Sequence, residues 1–226
     1  KNDMKKQLTA LFIIISSFAF AQKGLHLGAS GNLNTVWIVN QNAYGGEEYD
    51  YTLKTGAGAG LNVGYNLTDH IGVFTGFKFS NQGQSYESSK NTGETRDISL
   101  RYNYIPLLVR FTGGSSSVKF YAQAGPQFGF ISNATYEYDG PTVDPTKNDI
   151  KDRFNSGDNG VNFGIGANID ITSKIYINAG LDLFYSFNDI NEEKFHIPDS
   201  SGVYEPSKNA TGGLNIGVHY ILFGKE

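Results

Sequence analysis

Two stretches of alternating side chains, residues 160–171 and 175–187, constrain the fold more than any other part of the sequence. In each stretch apolar residues occupy every second position, and the positions between them are mostly Gly, Asn, Asp or Ser. A side-chain period of two is that of a β-strand, and the short segment 172–174 predicts a tight turn between antiparallel strands. Both strands are longer than the usual strand of a soluble protein, which has about 5–6 residues, and are long enough to cross a membrane, which takes about 9–11 residues. The pair therefore predicts a membrane-spanning hairpin whose apolar face points outward.

The same alternation recurs along the rest of the chain and predicts eight strands. The connections between them are alternately long and short, which is typical of an up-and-down barrel with long external loops. We therefore predict an all-β fold, an eight-stranded antiparallel up-and-down transmembrane β-barrel with four long external loops and short periplasmic turns. A soluble lipocalin-like barrel is the alternative, but a surface of mostly Gly, Asn, Asp and Ser would be an unusual coat against water. The predicted strands cover residues 24–39, 55–67, 71–82, 95–112, 118–131, 160–171, 175–187 and 210–223.

The first 21 residues have the pattern of a secretory signal peptide. Lys5 and Lys6 precede an apolar segment at residues 8–18, and the segment ends at Ala19-Phe20-Ala21, a small-x-small cleavage pattern. A membrane anchor is the alternative, but the apolar segment is shorter than the about 20 residues that a spanning helix needs. We predict cleavage after Ala21 and a barrel domain over residues 22–226. An even number of strands would place both termini in the periplasm.

The fourth predicted strand is the least regular. Leu100, Tyr102 and Tyr104 share its apolar face, which places Arg101 on the opposite, lumen-facing side. Beyond Tyr104 the alternation is ambiguous, and Pro106 cannot donate a ladder hydrogen bond. A bulge or phase slip is expected at Pro106.

Composition excludes several classes of function. The chain has no cysteine, so disulfides and thiolate chemistry are excluded. A net charge of −4 gives no electrostatic basis for binding nucleic acid. No cofactor and no metal-binding motif is indicated.

Several charged side chains are predicted to face the lumen. Eight strands enclose an interior that side chains can fill, so a wide diffusion pore is not expected. Charges in such a lumen must pair, because isolated buried charges are very costly. A structural network of ion pairs is the first interpretation, and a narrow polar conduit is the alternative; the sequence leaves open whether the lumen is open or plugged. The predicted lumen residues are His26, Lys78, Arg101, Lys119, Asp170, Asp182 and His219.

No catalytic residue is predicted. His26 and His219 fall in strands that become neighbours if the barrel closes, but no serine nucleophile signature accompanies them. A lipid-modifying enzyme would be favoured if both met a serine at the membrane boundary. The acidic loop at residues 132–159 does not have the ligand spacing of a calcium loop, although a contact with divalent-bridged lipopolysaccharide stays an alternative.

Three segments resemble small outer-membrane barrels of Bacteroidetes, the PorT-like group. They are residues 104–110 (YIPLLVR), 121–128 (YAQAGPQF) and 217–223 (GVHYILF). The resemblance covers essentially the whole predicted mature chain. It implies an outer-membrane location and a role as an accessory protein in secretion or gliding.

We therefore expect a non-catalytic outer-membrane barrel that serves as an accessory or scaffold subunit of an envelope complex. A lipid-modifying enzyme and a stand-alone surface adhesin or stability protein are the alternatives. The expected partners are outer-membrane lipid or lipopolysaccharide and other envelope proteins. These would be contacted through the external loops or through wall residues such as Phe77, Phe163 and Leu183.

Overall fold

A computed structural model describes residues 24–40, 49–114, 117–141, 143–198 and 201–223. The predicted signal peptide and its cleavage site after Ala21 lie outside these residues. The secondary structure is almost entirely β. Its elements are β1 Gly24–Val39, β2 Tyr49–Thr52, β3 Lys54–Asn66, β4 Ile71–Ser88, β5 Thr95–Gly113, β6 Val118–Gly140, β7 Val143–Asp149, β8 Gly157–Asp170, β9 Ile175–Ser186 and β10 Lys208–Phe223, with short 3-10 turns at Lys151–Arg153 and Glu193–Phe195.

Eight of these strands close into a barrel. The antiparallel order β1–β3–β4–β5–β6–β8–β9–β10 returns to β1, because β1 also pairs with β10 from Leu25↔Phe223 to Val39↔Lys208. Closure leaves no unpaired edge among these eight strands, which is what a sheet in lipid requires. The predicted fold class is confirmed.

The outer wall is apolar and the inner wall is mostly polar. Leu61, Phe120 and Leu183 expose 69%, 68% and 58% of their surface, whereas the inward Asn178 exposes 2%. So many large exposed apolar side chains would be unfavourable in water, but they match a hydrocarbon environment. In the described part of the chain, no helix has the length and apolar character to cross a membrane.

The hairpin of β8 and β9 has the predicted register and turn. The strands pair from Gly160↔Ser186 to Asp170↔Tyr176. In the connection the amides of Lys174 and Ile175 donate to Thr172 Oγ1 at 3.2 and 2.9 Å. A threonine side chain thus closes the tight turn in place of a longer loop.

Beyond the apolar band, β4, β5 and β6 continue and form a structure that the sequence did not indicate. β2 pairs with the end of β4, and β7 pairs with the end of β6. The result is a five-stranded antiparallel sheet in the order β2–β4–β5–β6–β7, here called the external lobe. In the predicted loop 83–94, residues 83–88 are strand and pair with β2 and β5. The predicted loop 132–159 is largely strand, because the end of β6 pairs with β5 and with β7.

The predicted irregularity at Pro106 is wrong in position. The register of β5 is the same on both sides of Pro106, against β4 and against β6. The bulge lies on β6 at Ser132, since Asn133 pairs with Arg101 and Ile131 pairs with Tyr102. The Ser132 hydroxyl donates to the Arg101 carbonyl at 3.0 Å. Pro106 lacks a backbone donor, so one hydrogen bond of the ladder is missing, but the register of the strand does not change.

The predicted faces of β5 are inverted. Leu100, Tyr102 and Tyr104 point inward and are at most 1% exposed, whereas Arg101 is exposed on the outer side. The outward positions of β5 change from apolar Ile105 to Arg101 where the strand leaves the apolar band. Above the band the outside is water, so the apolar face turns toward the interior. The placement of Arg101 in the lumen was therefore wrong.

Candidate functional site

The other predicted lumen residues face the interior, in separate groups. Lys78 and Asp182 line one central cavity and interact electrostatically. Asp170 forms an ion pair with Lys119 near the short-turn end. His26 and His219 lie near the same end and are 1% and 3% exposed.

Arg110 is the lumen arginine that sequence reasoning missed. Its Nε and Nη2 donate to Gln123 Oε1 at 2.9 and 2.7 Å. The guanidinium lies over the rings of Phe74 and Tyr121, with distances of 3.8 and 4.4 Å to the ring centres. Gln123 Nε2 in turn donates to Asp182 Oδ1 at 3.3 Å. Unbroken alternation puts Arg110 on the same face of β5 as Tyr104, so taking that face as the outer one hid Arg110.

A cavity of about 50 Å³ lies in the middle of the lumen. This volume holds a few waters and is far too small for a porin-like channel. The cavity is lined by charged and amide side chains, among them Lys78, Arg110, Gln123, Asn162 and Asp182.

The two lumen histidines are separated by a tyrosine. The Tyr176 ring stacks on His219 at 4.7 Å and meets His26 edge-on at 5.6 Å. His219 Nε2 lies 3.0 Å from Asn178 Oδ1. Both imidazoles are enclosed in the barrel, so they do not form the site at the membrane boundary that a lipid-modifying enzyme was expected to need.

An apolar and aromatic cluster occupies the lumen toward the long-loop end, and we call it the aromatic plug. Tyr104 contacts Phe184 and Tyr102 with ring-centre distances of 5.1 and 5.5 Å. Below it, Tyr104 Oη donates to Asp158 Oδ2 at 2.6 Å. The plug comprises Ile38, Tyr49, Tyr86, Ile98, Leu100, Tyr102, Tyr104, Ile131, Ala134, Ile150, Phe154, Phe184 and Ile190.

Two external connections cover the plug and are fixed by backbone hydrogen bonds. Asn155 N donates to Ile190 O at 2.8 Å, and Ile190 N donates to Ser207 O at 2.9 Å. Asp189 accepts from Tyr204 Oη at 2.8 Å and from the Ser207 amide at 3.1 Å. Burial is the main cause that raises the pKa of Tyr204 above its usual value, and the neighbouring Asp189 raises it further. The lumen is therefore plugged from the long-loop side.

The acidic segment does not collect into one ligand cluster. Asp158 points into the lumen, and Asp149 Oδ1 accepts from the Lys151 amide at 2.9 Å. The side chain of Asp144 lies outside the described residues. Across the described ranges, no group of three or more His, Cys, Asp or Glu side chains could hold a metal ion.

Within the external lobe, a polar cluster fixes β2 to the start of β5. Tyr49 Oη donates to Glu94 Oε1, and the Arg96 guanidinium lies 3.7 Å from the centre of the Tyr49 ring. Burial and the hydrogen bond to Glu94 raise the pKa of Tyr49 to about 12. Hydrogen bonds from Tyr49, and then from Asn91, hold the pKa of Glu94 below its usual value.

A second polar cluster fixes the start of β3 to the lobe. Lys54 pairs with Asp97, which also accepts from Ser85 Oγ at 2.5 Å and from Ser99 Oγ at 2.9 Å. Burial by itself would raise the pKa of Asp97, but these hydrogen bonds outweigh it and the pKa lies below its usual value. The lobe is thus joined to the barrel rim by specific, partly buried contacts.

A closed antiparallel sheet with an apolar band outside and a filled, polar lumen inside defines an integral outer-membrane β-barrel. The family model described as outer membrane protein beta-barrel domain matches residues 20–192, more than half of the chain. The protein belongs to this family and is located in the outer membrane.

Several solved structures are similar to this chain at low sequence identity. Neisserial surface protein A is 12% identical, with a TM-score of 0.50 over 90% of this chain and 100% of that one. OprG of Pseudomonas aeruginosa is 14% identical, with a TM-score of 0.49 over 88% and 96%. Ail, the attachment invasion locus protein of Yersinia pestis, is 14% identical, with a TM-score of 0.42 over 88% and 99%. No curated protein matches the sequence. The similarity to Neisserial surface protein A extends to the fold alone.

Proposed function

We propose that the protein is a non-catalytic accessory or scaffold subunit of an outer-membrane complex, and that the external lobe binds its partner. The observation that carries the proposal is the five-stranded lobe, which continues the barrel wall beyond the apolar band and is fixed by Tyr49, Glu94 and Arg96. A rigid sheet loses little conformational entropy on binding, which favours a protein-contact surface.

The lobe has two features that suit a protein partner. In the described part of the chain, β2 pairs with β4 alone and β7 with β6 alone, so each has a second edge where a partner strand could add. Tyr51 on β2 is 55% exposed and contacts the buried Tyr86 ring at 5.2 Å. Tyrosine at an exposed rim is a frequent anchor of protein interfaces.

The closed lumen favours this role over transport through the barrel. The aromatic plug fills the long-loop half of the lumen. Below it Arg110 and Asp182 are both hydrogen-bonded to Gln123, and Lys119 pairs with Asp170. We propose that the lumen network is structural. The resemblance of residues 104–110, 121–128 and 217–223 to PorT-like barrels supports an accessory role of the same kind.

The test is affinity purification from detergent-extracted outer membranes. We expect a stoichiometric envelope partner with the wild-type protein, and its loss with Tyr51→Asp on the lobe. Val203→Asp is the matched control, because Val203 is also 55% exposed but lies in the connection between β9 and β10. Heat-modifiable electrophoretic mobility verifies that both variants fold.

Two outcomes would contradict the proposal. The first is a wild-type barrel that is recovered without any stoichiometric partner, which would instead support a stand-alone adhesin or stability protein. The second is a partner that remains bound to Tyr51→Asp as strongly as to Val203→Asp.

A further inference from the structure

The central lumen cavity contains more positive than negative charge. Two cations, Lys78 and Arg110, line it together with a single carboxylate, Asp182. The other lumen carboxylates do not line this cavity: Asp170 pairs with Lys119, and Asp158 accepts from Tyr104 and Asn209 beside the aromatic plug. An unbalanced charge enclosed by protein is costly, so this arrangement calls for one more negative charge.

Arg110 has a donor that points to the same conclusion. The side chain is 5% exposed, and Nε and Nη2 are both used by Gln123. The remaining nitrogen, Nη1, is buried and has no hydrogen-bond partner among the described residues. Charged guanidinium donors are rarely left unsatisfied when buried, because the desolvation cost is then uncompensated.

Lys78 supplies a second donor to the cavity. It lines the cavity beside Arg110 and interacts electrostatically with Asp182. Gln123 holds Asp182 from the other side at 3.3 Å and also accepts from Arg110. The carboxylate is therefore shared, and one cation in the cavity lacks a counter-charge.

We propose that this cavity binds one small monovalent inorganic anion, of the chloride type, between Lys78 and Arg110. A single negative charge neutralises the excess, whereas a divalent anion would reverse it. A volume of about 50 Å³ suits a monatomic ion with one or two waters. The site is independent of the external lobe, so it stands whether or not the lobe binds a partner.

Crystallography with bromide as the probe tests the site directly. The full chain is refolded and crystallised in sodium bromide, so that an enclosed ion is captured during folding. We expect an anomalous peak within hydrogen-bonding distance of Arg110 Nη1 and near Lys78 Nζ. A cavity that contains only water in these crystals would overturn the proposal.

A pair of charge variants gives the second test. Lys78→Met leaves Arg110 and Asp182 balanced, so we expect the bromide peak to disappear. Lys119→Met is the control, because Lys119 pairs with Asp170 outside the cavity, and the peak should persist. A peak that persists in Lys78→Met would contradict the assignment.

A solution measurement does not depend on crystals. At matched ionic strength, refolding in chloride instead of gluconate should raise the apparent melting temperature of the wild type. The expected rise is about 5 °C when chloride exceeds its dissociation constant about 100-fold. Lys119→Met should keep this rise. Asp182→Asn should give a larger rise, because the substitution removes the carboxylate that competes with chloride. An equal melting temperature of the wild type in both salts would count against the site.

Discussion

At the scale of single residues, inward glycines determine how closely neighbouring strands approach. A Cβ added at Gly125, on the lumen side of β6, would overlap the backbone carbonyl of Leu107. A backbone atom of an adjacent strand cannot move aside as a flexible side chain would. The outward Gly31 is different, because the nearest atom to an added Cβ is Gly58 O at 3.8 Å.

We expect Gly125→Ala to destabilise the barrel by about 1–3 kcal/mol through overpacking. Gly31→Ala is the matched control and should stay within about 0.5 kcal/mol of the wild type. Urea unfolding in detergent or vesicles, followed by tryptophan fluorescence, measures both. Equal urea unfolding midpoints for the two variants would show that the lumen beside Gly125 can accommodate an added methyl group.

The contact between Tyr49 and Glu94 makes the external lobe sensitive to pH at both extremes. The pKa of Glu94 is lowered in the folded protein, so its contribution to stability is present above the ordinary glutamate pKa of about 4.3 and is lost as the pH falls. The pKa of Tyr49 is raised to about 12, so its contribution is present below the ordinary value of about 10 and is lost as the pH rises toward 12.

Tyr49→Phe should therefore make the lobe less stable at neutral pH, and should flatten its pH dependence both below pH 5 and above pH 10. Limited proteolysis of the lobe across the pH range measures the effect. The control is Tyr51→Phe, because Tyr51 lies on the same strand and its side chain is 55% exposed. A Tyr49→Phe variant with the wild-type pH profile would contradict the role given to this hydrogen bond.

At the scale of elements, one bulge in β6 decides which side chains line the external lobe. Ile131 faces inward below Ser132, and Ala134 faces inward above it, so the phase of the strand changes there. The extra residue brings Ala134 into the aromatic plug and Tyr136 against it. β5 keeps one phase throughout, and its inner face changes from polar to aromatic without a bulge.

Inserting one alanine between Asn133 and Ala134 should turn Ala134 and Tyr136 outward, because a shift of one residue moves every following side chain to the other face of the strand. We expect the lower barrel to form while the lobe becomes protease-sensitive. Protease digestion of intact cells, combined with heat-modifiable mobility, separates these two effects. Ser132→Ala keeps the residue count and the inward faces and should remain resistant; a protease-resistant insertion variant would show that the phase of β6 above Ser132 is not needed for the lobe.

At the scale of the whole molecule, the plug and the lumen network make the barrel closed rather than porous. In planar bilayers the wild type should show no stable conductance steps at neutral pH. Replacing Tyr102, Tyr104 and Phe184 together by Ala should open the long-loop half of the lumen and produce measurable conductance. Phe163→Ala, on the outer wall, is the control and should stay silent; conductance of the wild type would contradict the plug.

The sequence could predict which residues share a face, but it could not always predict which face is inside. β8 and β9 stay within the apolar band, so their apolar side chains face outward and the predicted faces of this hairpin were correct. In β5 the outer environment changes from lipid to water near Ile105, and the inner face becomes apolar at Tyr104, Tyr102 and Leu100. Following the apolar face therefore misplaced Arg101 and missed Arg110.

The sequence by itself determined the period of two, the eight strands of the barrel and the alternation of long and short connections, because these can be read from residues that are neighbours along the chain. Only the tertiary structure decided the β2 and β7 pairings, the aromatic plug and the association of Lys78, Arg110 and Asp182 in one cavity. These features join residues from strands far apart in the chain. Their arrangement depends on barrel closure and on the height at which each strand leaves the membrane, and neither is encoded in a local pattern.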